Sequence, residues 1–277
     1  MATSCKNSDE ARFAFGDNWL DYVKLVDETR IGKAKESLTR ALGINDLTGL
    51  SFLDVGCGSG LFSLAAHQLG ARVRAFDYDH MSVAASAELR RRFAPAGDWI
   101  VEQGSILDDD YTQGLGRHDV VYSWGVLHHT GDMWRAINVA ASLVKPAGLL
   151  YIAIYNDQGS ASRLWWRLKR QYVQAGPLMR KSLILSGDAY FRSRGLAGRL
   201  IRAAAGASAP REVTRRGMSR RHDLIDWMGG FPFEVAKPEQ VFAFLRERHF
   251  ELRHLTTCAG GLGCNEYVFE APAPDRS

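Results

Sequence analysis

The sequence is poor in cysteine and lacks any long apolar run. Only four of its 277 residues are cysteine, Cys5, Cys57, Cys258 and Cys264, and their spacing is that of neither a zinc site nor a disulfide scaffold. We therefore expect reduced thiols and no bound metal. Because no stretch of about eighteen apolar residues occurs and no charged leader precedes an apolar segment, we expect a cytoplasmic protein that does not span a membrane.

Acidic residues are nearly absent from residues 163–221. This segment holds fifteen Lys or Arg against Asp188 and Glu212, a balance of +13, although the net charge of the whole chain is only +4. Such a local excess is typical of a protein that contacts an anionic surface or partner. The segment predicts either a peripheral membrane contact, or an apolar helix face that packs on the sheet or on a second subunit while its arginines stay in solvent.

Apolar residues make up 46% of the sequence, which is enough for a large core. Helical spacing in the first fifty residues predicts a helical cap over 1–50. Short apolar strands then alternate with helices over 51–156, which is typical of a doubly wound α/β core that binds a cofactor. Segment 157–237 is predicted to be a basic helical insertion or substrate lid. Segment 238–277 holds a helix and an antiparallel β-hairpin that would complete the core.

A glycine-rich turn, "DVGCGSG", joins the first predicted strand to the helix that follows it. Its glycines, Gly56, Gly58 and Gly60, let the backbone turn sharply and approach a ligand at the carboxyl end of the strand. Asp77 ends the second strand, where a carboxylate can accept both hydroxyls of a ribose, although a solvated strand end would also explain it. The loop begins with Asp54 and lacks the dinucleotide pattern G-x-G-x-x-G, which favours a ligand with an amine and no phosphate.

Four segments resemble, in order, the core motifs of class I S-adenosylmethionine-dependent methyltransferases: "LDVGCGSG", the acid in "AFDYD", "DVVYSWGVLHH" and "LVKPAGLLYIAIYN". The resemblance covers about residues 19–156 and the C-terminal hairpin, and it is most similar to the branch of ubiquinone-type O-methyltransferases. It implies a Rossmann-like sheet of seven strands with the last strand antiparallel. It also implies an enzyme that transfers a methyl group from S-adenosylmethionine.

The resemblance implies roles for individual residues. Asp54 and the three loop glycines would line the methionine moiety of the cofactor. Asp77 would hold the ribose, and Tyr78 would flank the adenine. Arg30, ahead of the glycine loop, is the candidate for binding the cofactor carboxylate, with Lys33 or a solvated helix face as the alternative.

The adenine site departs from the family pattern. The third strand ends in Gly104-Ser105, where the family often has Gly-Asp and uses the carboxylate to meet the adenine amino group. We therefore expect Ser105, Ile106 and backbone groups to hold the adenine. Trp124, at the end of the fourth strand, completes the expected cofactor-binding set.

Two adjacent histidines, His128 and His129, follow the fourth strand, where this fold presents residues to the methyl group. An imidazole there would help to remove the proton of an acceptor hydroxyl. His129 matches a family histidine and is the first candidate for the general base, with His128 second. Alternatively, one ring packs under the next helix and the other bonds to backbone. The branch carries Glu-x-x-Glu-His here, and Gly125 takes the place of a carboxylate, so we expect no magnesium site.

Polar and aromatic residues near the end of the fifth strand predict an acceptor site. Tyr155 and Asn156 lie at the rim where acceptors sit in this fold, although they would equally serve to cap the next helix. His222 and Trp227 occur in "RHDLIDWMGGFPFE", among glycine and proline turns. We expect these four residues to form the wall of the acceptor site.

The segment "SRLWWRLKRQYVQA" predicts an amphipathic basic helix. Its polar face is expected to hold Arg163, Arg167, Arg170 and Gln174. Its apolar face is expected to hold Leu164, Trp165, Leu168 and Tyr172. Helices of this kind lie on anionic membranes or pack their apolar face inside the protein.

Three functions fit these features. The leading one is a methyltransferase that acts on a small molecule at a hydroxyl oxygen with a histidine general base. The second is an RNA methyltransferase that uses the basic insertion, but nucleic acid is disfavoured because the chain has no recognisable RNA-binding module and no N-P-P-Y motif after the fourth strand. The third is a non-catalytic protein that binds the cofactor. A homodimer stays open in each case.

Overall fold

A seven-stranded sheet lies at the centre of the computed structural model, which describes residues 15–204 and 220–273. In chain order its strands are β1 (Ser51–Val55), β2 (Arg72–Asp77), β3 (Trp99–Gln103), β4 (His118–Trp124), β5 (Val144–Tyr155), β6 (Glu251–Thr256) and β7 (Cys264–Glu270). Their order across the sheet is β3-β2-β1-β4-β5-β7-β6. Strands β1 to β5 pair in parallel, whereas β7 pairs antiparallel with β5 and β6. The predicted doubly wound α/β sheet with an antiparallel last strand is therefore confirmed.

Helices cover the sheet on both faces. Those of the described ranges are α1 (Gly16–Val23), α2 (Glu28–Leu42), α3 (Leu61–Gln68), α4 (His80–Phe93), α5 (Asp109–Gln113), α6 (Met133–Ser142), α7 (Ser160–Gln174), α8 (Pro177–Ala204), α9 (Arg220–Gly229) and α10 (Pro238–Arg246). On one face, helices α2, α3 and α4 pack over the sheet, and on the other face α6 and α10 do so. This is the two-sided cover that a parallel sheet requires.

Strand β1 lies at the middle of this arrangement. Phe52 packs into the core under α2, α3 and α4, whereas Leu53 and Val55 pack into the core under α6 and α10. Because successive side chains of a strand point to opposite faces, a strand covered on both sides reads as a continuous apolar run. The strand order reverses between β1 and β4, so the carboxyl ends of these strands border the crevice in which open α/β sheets bind ligands.

Helices α1 and α2 are the described part of the predicted cap, and residues 1–14 lie outside the described ranges. Asp27 caps α2, since its carboxylate accepts a hydrogen bond from the Arg30 N–H at 2.9 Å. The N–H of Gly16 donates to the Asp79 carboxylate at 2.8 Å, which joins the start of α1 to the start of α4. This contact holds α1 over the carboxyl edge of the sheet.

The described part of segment 157–237 contains α7, α8 and α9. Asn156 and Ala236 form an isolated β-bridge, so the two ends of the segment lie side by side, as an insertion into a continuous core requires. No described helix is apolar enough over a sufficient length to cross a membrane. Membrane contact or self-association through residues 163–221 stays a prediction, and residues 205–219 of that segment lie outside the described ranges.

The predicted faces of α7 need a correction. Leu164, assigned to the apolar face, is 57% exposed, whereas Lys169 is fully buried. The buried stripe runs through Trp165, Lys169, Tyr172 and Val173, which is the i, i+4, i+7, i+8 spacing of one helix face. Leu164 lies one position outside that stripe, and a lysine occupies a place where the pattern calls for an apolar residue.

Replacing Leu53 by Ala should lower the free energy of unfolding by about 3 kcal/mol, because it leaves a cavity in the core under α6 and α10. The matched control is Ile100→Ala on β3, whose side chain is 53% exposed and whose loss should cost less than about 1 kcal/mol. Urea unfolding curves of the two variants provide the measurement. Equal losses would contradict the placement of β1 at the centre of the core.

Candidate active site

The glycine-rich loop between β1 and α3 is closely packed on two sides. Gly56 and Gly58 have φ of +76° and +53°, a left-handed conformation that favours glycine. A Cβ on Gly56 would lie 2.4 Å from the Val126 side chain, and one on Gly58 would lie 3.1 Å from the Trp19 indole. The loop is therefore held between α1 and the turn that follows β4. We call the glycine loop, with Val126 and Trp19 packed against it, the cradle; it leaves no room for side chains at these two positions.

Asp77, at the end of β2, is bonded to this loop. One carboxylate oxygen accepts the N–H of Gly58 at 3.0 Å, and the other accepts the N–H of Asp79 at 2.9 Å. Burial raises the pKa of Asp77 to about 6, against the opposing effect of these hydrogen bonds. The remaining lone pairs of the carboxylate are available to accept hydroxyl groups, as predicted for the ribose.

Asp54 lies deeper in the same corner. Its carboxylate is buried and accepts the Ser63 hydroxyl at 2.5 Å. Burial, with a further contribution from the negative charge of Asp77, raises the pKa of Asp54 to about 7. A cationic ligand would stabilise the ionised form of both acids. The cradle and this pair of acids fit S-adenosylmethionine, which carries a sulfonium and an ammonium group.

The predicted adenine-side residues lie at the carboxyl ends of β2 and β3. Tyr78 is exposed and its carbonyl accepts the side-chain amide of Gln103 at 3.1 Å. Ile106 is buried, and the Ser105 hydroxyl accepts the N–H of Leu107 at 3.2 Å. These residues share one edge of the glycine loop, and their contact with adenine stays a prediction.

Trp124 and Arg30 are the two remaining predicted cofactor residues. Trp124 ends β4 and packs, partly buried, against the core under α2, α3 and α4. Arg30, on α2, donates to the Asp27 carboxylate at 2.8 Å, while its buried Nε has no hydrogen-bond partner within the described residues. A cofactor carboxylate would therefore share this guanidinium with Asp27.

His129 ends the 3₁₀ turn Leu127–His129, which directly follows Val126, the residue that packs at Gly56. Its Nδ1 is 2.6 Å from the Pro232 carbonyl oxygen. A carbonyl only accepts, so Nδ1 carries the proton and Nε2 carries the lone pair of the neutral ring. Burial, reinforced by the ammonium of Lys169, lowers the pKa of His129 to about 3. The ring is therefore neutral near pH 7.

His128 is fully buried behind its neighbour. The Tyr155 N–H donates to its Nδ1 at 3.4 Å, near the long limit of a hydrogen bond. Burial is the main cause that lowers its pKa well below the usual value, with His129 and Lys169 adding to it and the Ala153 carbonyl opposing it. Nε2 has no hydrogen-bond partner in the described parts of the chain.

An aromatic cluster surrounds the two imidazoles. The Tyr155 ring centroid lies 3.9 Å from that of His128 and 5.4 Å from that of His129. Trp227, from α9, and Phe233 lie 4.9 Å and 5.3 Å from the Tyr155 ring. Two of the predicted acceptor-site residues, Tyr155 and Trp227, are thus brought together with the predicted bases.

The other two predicted acceptor-site residues differ in placement. The Asn156 side chain donates to the Gly261 carbonyl at 3.3 Å and accepts from the Asn265 amide at 3.1 Å. It therefore ties the end of β5 to the loop between β6 and β7. His222 belongs to α9, but its side chain lies outside the described residues.

Lys169 is the residue of this site that sequence analysis missed. Its ammonium lies 4.3 Å from the Trp227 ring centroid and 4.9 Å from that of Phe233, and it donates to the Trp227 carbonyl. The available signal was a charged residue in the apolar stripe of α7. Among the described residues, no group of three or more His, Cys, Asp or Glu side chains is placed to hold a metal ion.

Comparison with known proteins gives one family match and several partial relatives. The family model described as a methyltransferase domain matches residues 26–185. The ubiquinone biosynthesis O-methyltransferase of Caulobacter vibrioides is 32% identical over 108 residues, 39% of this chain and 42% of that protein. The enzyme of the same name from Rhizobium rhizogenes is 29% identical over 119 residues, 43% of this chain and 46% of that protein. The chain thus matches less than half the length of these relatives.

Solved structures share the fold. An O-methyltransferase family protein from Burkholderia thailandensis superposes with a TM-score of 0.54 at 14% identity, covering 94% of this chain and 60% of that one. The magnesium protoporphyrin IX methyltransferase of Synechocystis PCC 6803, solved with bound S-adenosylmethionine, gives 0.51 at 14% identity, covering 92% and 90%. At such identities the likeness shows the fold alone.

Replacing Gly56 by Ala should weaken binding of S-adenosylhomocysteine at least ~10-fold and destabilise the protein, because a methyl group would push against Val126. Gly116→Ala is the matched control, since Gly116 has a similar φ of +71° and nothing within 4 Å of its added Cβ. The control carries only the backbone strain of about 1–2 kcal/mol. Calorimetric titration and urea unfolding give the two readouts. Equal effects of the two substitutions would show that the Val126 contact does not matter.

Affinity for S-adenosylmethionine should fall as the pH drops from 7 to 5. Because the pKa of Asp77 in the folded protein is raised to about 6, its carboxylate is lost over this interval and can no longer accept two hydroxyls. Each pH unit below 6 should cost up to ~10-fold in affinity from this group. Asp77→Asn should bind more weakly at pH 8 and depend less on pH. A wild-type affinity that is constant from pH 5 to 8 would contradict this role.

Proposed function

Because the chain belongs to the methyltransferase-domain family, whose model matches residues 26–185, we propose that it methylates a small molecule at a hydroxyl oxygen. Family and fold together confirm the class predicted from the sequence, an S-adenosylmethionine-dependent methyltransferase. S-adenosylmethionine supplies an activated methyl group on its sulfonium. The glycine loop, Asp54 and Asp77 would hold this cofactor at the carboxyl ends of β1 and β2.

One observation carries the assignment to a hydroxyl. The hydrogen bond from His129 Nδ1 to the Pro232 carbonyl, 2.6 Å long, fixes the tautomer in which Nε2 can accept a proton. His129 lies three residues after Val126, whose side chain packs at Gly56 of the glycine loop, which supports a place for the imidazole on the cofactor side. A hydroxyl acceptor would donate to Nε2 and pass its proton there. The low pKa of the ring means that the proton would move on to solvent rather than stay on the imidazole.

The surroundings of His129 support an aromatic acceptor. The Tyr155 ring packs against both imidazoles, and with Trp227 and Phe233 packed against it forms an aromatic wall. Phe15, just ahead of α1, lies 5.5 Å from His129, ring centroid to ring centroid. Such a wall excludes water and fixes the orientation of a flat ring. The names of the relatives from Caulobacter and Rhizobium also favour oxygen as the methylated atom.

His129→Asn is the sharpest test of this function. The Asn amide nitrogen replaces Nδ1 and keeps the bond to Pro232, while the base at Nε2 is lost. Turnover with hydroxylated aromatic acceptors, measured as release of S-adenosylhomocysteine, should fall ~10²- to 10⁴-fold, with cofactor affinity unchanged. Since the pKa of His129 is about 3, wild-type turnover should show no loss from protonation of this ring down to pH 5.

The control is His254→Asn, because His254 lies on β6 and its ring nitrogen bonds only the Thr256 hydroxyl in the described structure. This variant should keep full turnover. Calorimetric titration of the wild type with S-adenosylmethionine and S-adenosylhomocysteine precedes both assays. Folded protein that binds neither compound would refute the methyltransferase function, and full turnover of His129→Asn from pH 6 to 9 would refute only the base.

A further inference from the structure

The insertion after β5 ends in a short segment, residues 232–236, which we call the closing segment. Alternate residues of this segment bond to the two strand ends that carry the site. The Pro232 carbonyl accepts the Nδ1–H of His129 at 2.6 Å, and the Ala236 N–H donates to the Tyr155 carbonyl at 3.0 Å. The closing segment therefore ties the turn that follows β4 to the end of β5.

Glu234 lies between these two contacts and bonds to the backbone on both sides of His129. Its N–H donates to the carbonyl of His128 at 3.0 Å. Its carboxylate accepts the N–H of Gly131 at 3.1 Å. The same carboxylate accepts the N–H of Met133, the first residue of α6, at 3.2 and 3.1 Å from its two oxygens. One residue thus holds three backbone groups of the turn and of the start of α6.

A carboxylate is well suited to this place. The first N–H groups of a helix lack partners within the helix and lie at the positive end of its dipole, where a negative charge is stabilising. Burial raises the pKa of Glu234, against the effect of these hydrogen bonds and reinforced by the charge of Asp132. A glutamine of the same size would offer one acceptor oxygen instead of two and would turn an amide NH₂ toward a backbone N–H. Loss of the charge should therefore loosen the contact.

The two ends of the turn between β4 and α6 are held by different parts of the protein. At the β4 end, the Val126 side chain packs at Gly56 of the cradle. At the α6 end, Glu234 supplies the contact. His129 lies between them, since its N–H donates to the Val126 carbonyl at 2.8 Å and its ring reaches the Pro232 carbonyl. Release of the α6 end would therefore displace the ring from that carbonyl while the cradle stays closed.

We propose that Glu234 is a positioning residue, which holds the His129 ring against the Pro232 carbonyl by fixing the start of α6 on the closing segment. This inference rests on the proposed function, in which Nε2 of His129 is the base. The contact keeps the proton on Nδ1, because in the other tautomer Nε2 would carry the proton and could accept none. Glu234 acts through the backbone, and the insertion thereby controls the tautomer of a base that belongs to the core.

The first readout is the exchange of the His129 Nδ1 proton with solvent, followed by NMR on protein with isotopically labelled histidine and assigned by its loss in His129→Asn. The wild type should carry this proton on Nδ1. In Glu234→Gln it should exchange at least ~10-fold faster, because the ring leaves the Pro232 carbonyl more often. The control is Asp46→Asn, since the Asp46 carboxylate likewise accepts a backbone N–H, from Thr48 at 2.8 Å, in an exposed turn. It should leave the exchange rate unchanged.

The second readout is kinetic. Turnover of Glu234→Gln with a hydroxylated aromatic acceptor should fall about 10- to 100-fold, because the base is displaced from its working position. Affinity for S-adenosylmethionine, measured by calorimetry, should stay unchanged, since the cradle is held at the other end of the turn. A general loss of structure would lower both. Asp46→Asn should keep full turnover.

Glu234→Asp covers the case in which Glu234→Gln does not fold, as judged by circular dichroism. It keeps the charge but shortens the reach by one methylene group, and should accelerate the exchange by a smaller factor. A wild-type His129 ring protonated on Nε2, or wild-type exchange in the folded Glu234 variant, would overturn the inference.

Neither of these results depends on turnover. Full turnover of Glu234→Gln beside an inactive His129→Asn would also overturn the positioning role. The proposed function is tested separately, by cofactor titration and by the turnover of His129→Asn, so its failure is distinguishable from that of the inference.

Discussion

The lack of side chains at Gly56 and Gly58 sets the distance between the three parts of the molecule that meet at the site. Val126 packs onto one glycine and Trp19 onto the other, so the turn after β4 and the cap helix α1 both approach the loop as closely as backbone allows. A single Cβ would separate them. The position of His129 relative to the cofactor cradle, and the closure of the cap over that cradle, both depend on this contact.

The buried ionisable groups of the site differ between the two sides of the glycine loop. On one side of the glycine loop, burial raises the pKa of Asp54 and Asp77 to about 7 and about 6, which favours a cationic ligand. On the other side, burial and the charge of Lys169 lower the pKa of His128 and His129, which favours neutral imidazoles. The same low-polarity surroundings that make the charges costly also make their effect on a ligand strong.

The insertion after β5 completes a site that the core begins. The core supplies His128, His129 and Tyr155, while the insertion supplies Lys169, Trp227 and the carbonyl of Pro232. That carbonyl fixes the tautomer of His129. If the proposed acceptor is bound here, a site built from two segments would let the acceptor side change through the insertion while the cofactor side stays fixed, in agreement with the general separation of fold and function.

The sequence by itself determined the sheet, the glycine loop, the acid at the end of β2 and the place of the histidines after β4, because short-range patterns and strand ends fix these features. It also placed Tyr155 and Trp227 in one site.

The sequence misassigned Leu164 and missed Lys169. A lysine in a basic segment is expected to be exposed to solvent, and only the packing of α7 against its neighbours shows which of its faces is buried. The sequence predicts Asn156 at the rim of the acceptor site, but its side-chain amide forms hydrogen bonds with Gly261 and Asn265. Only the tertiary structure decided which nitrogen of His129 carries the proton, because Pro232 lies about a hundred residues from His129 and no local pattern records which carbonyl will face a ring.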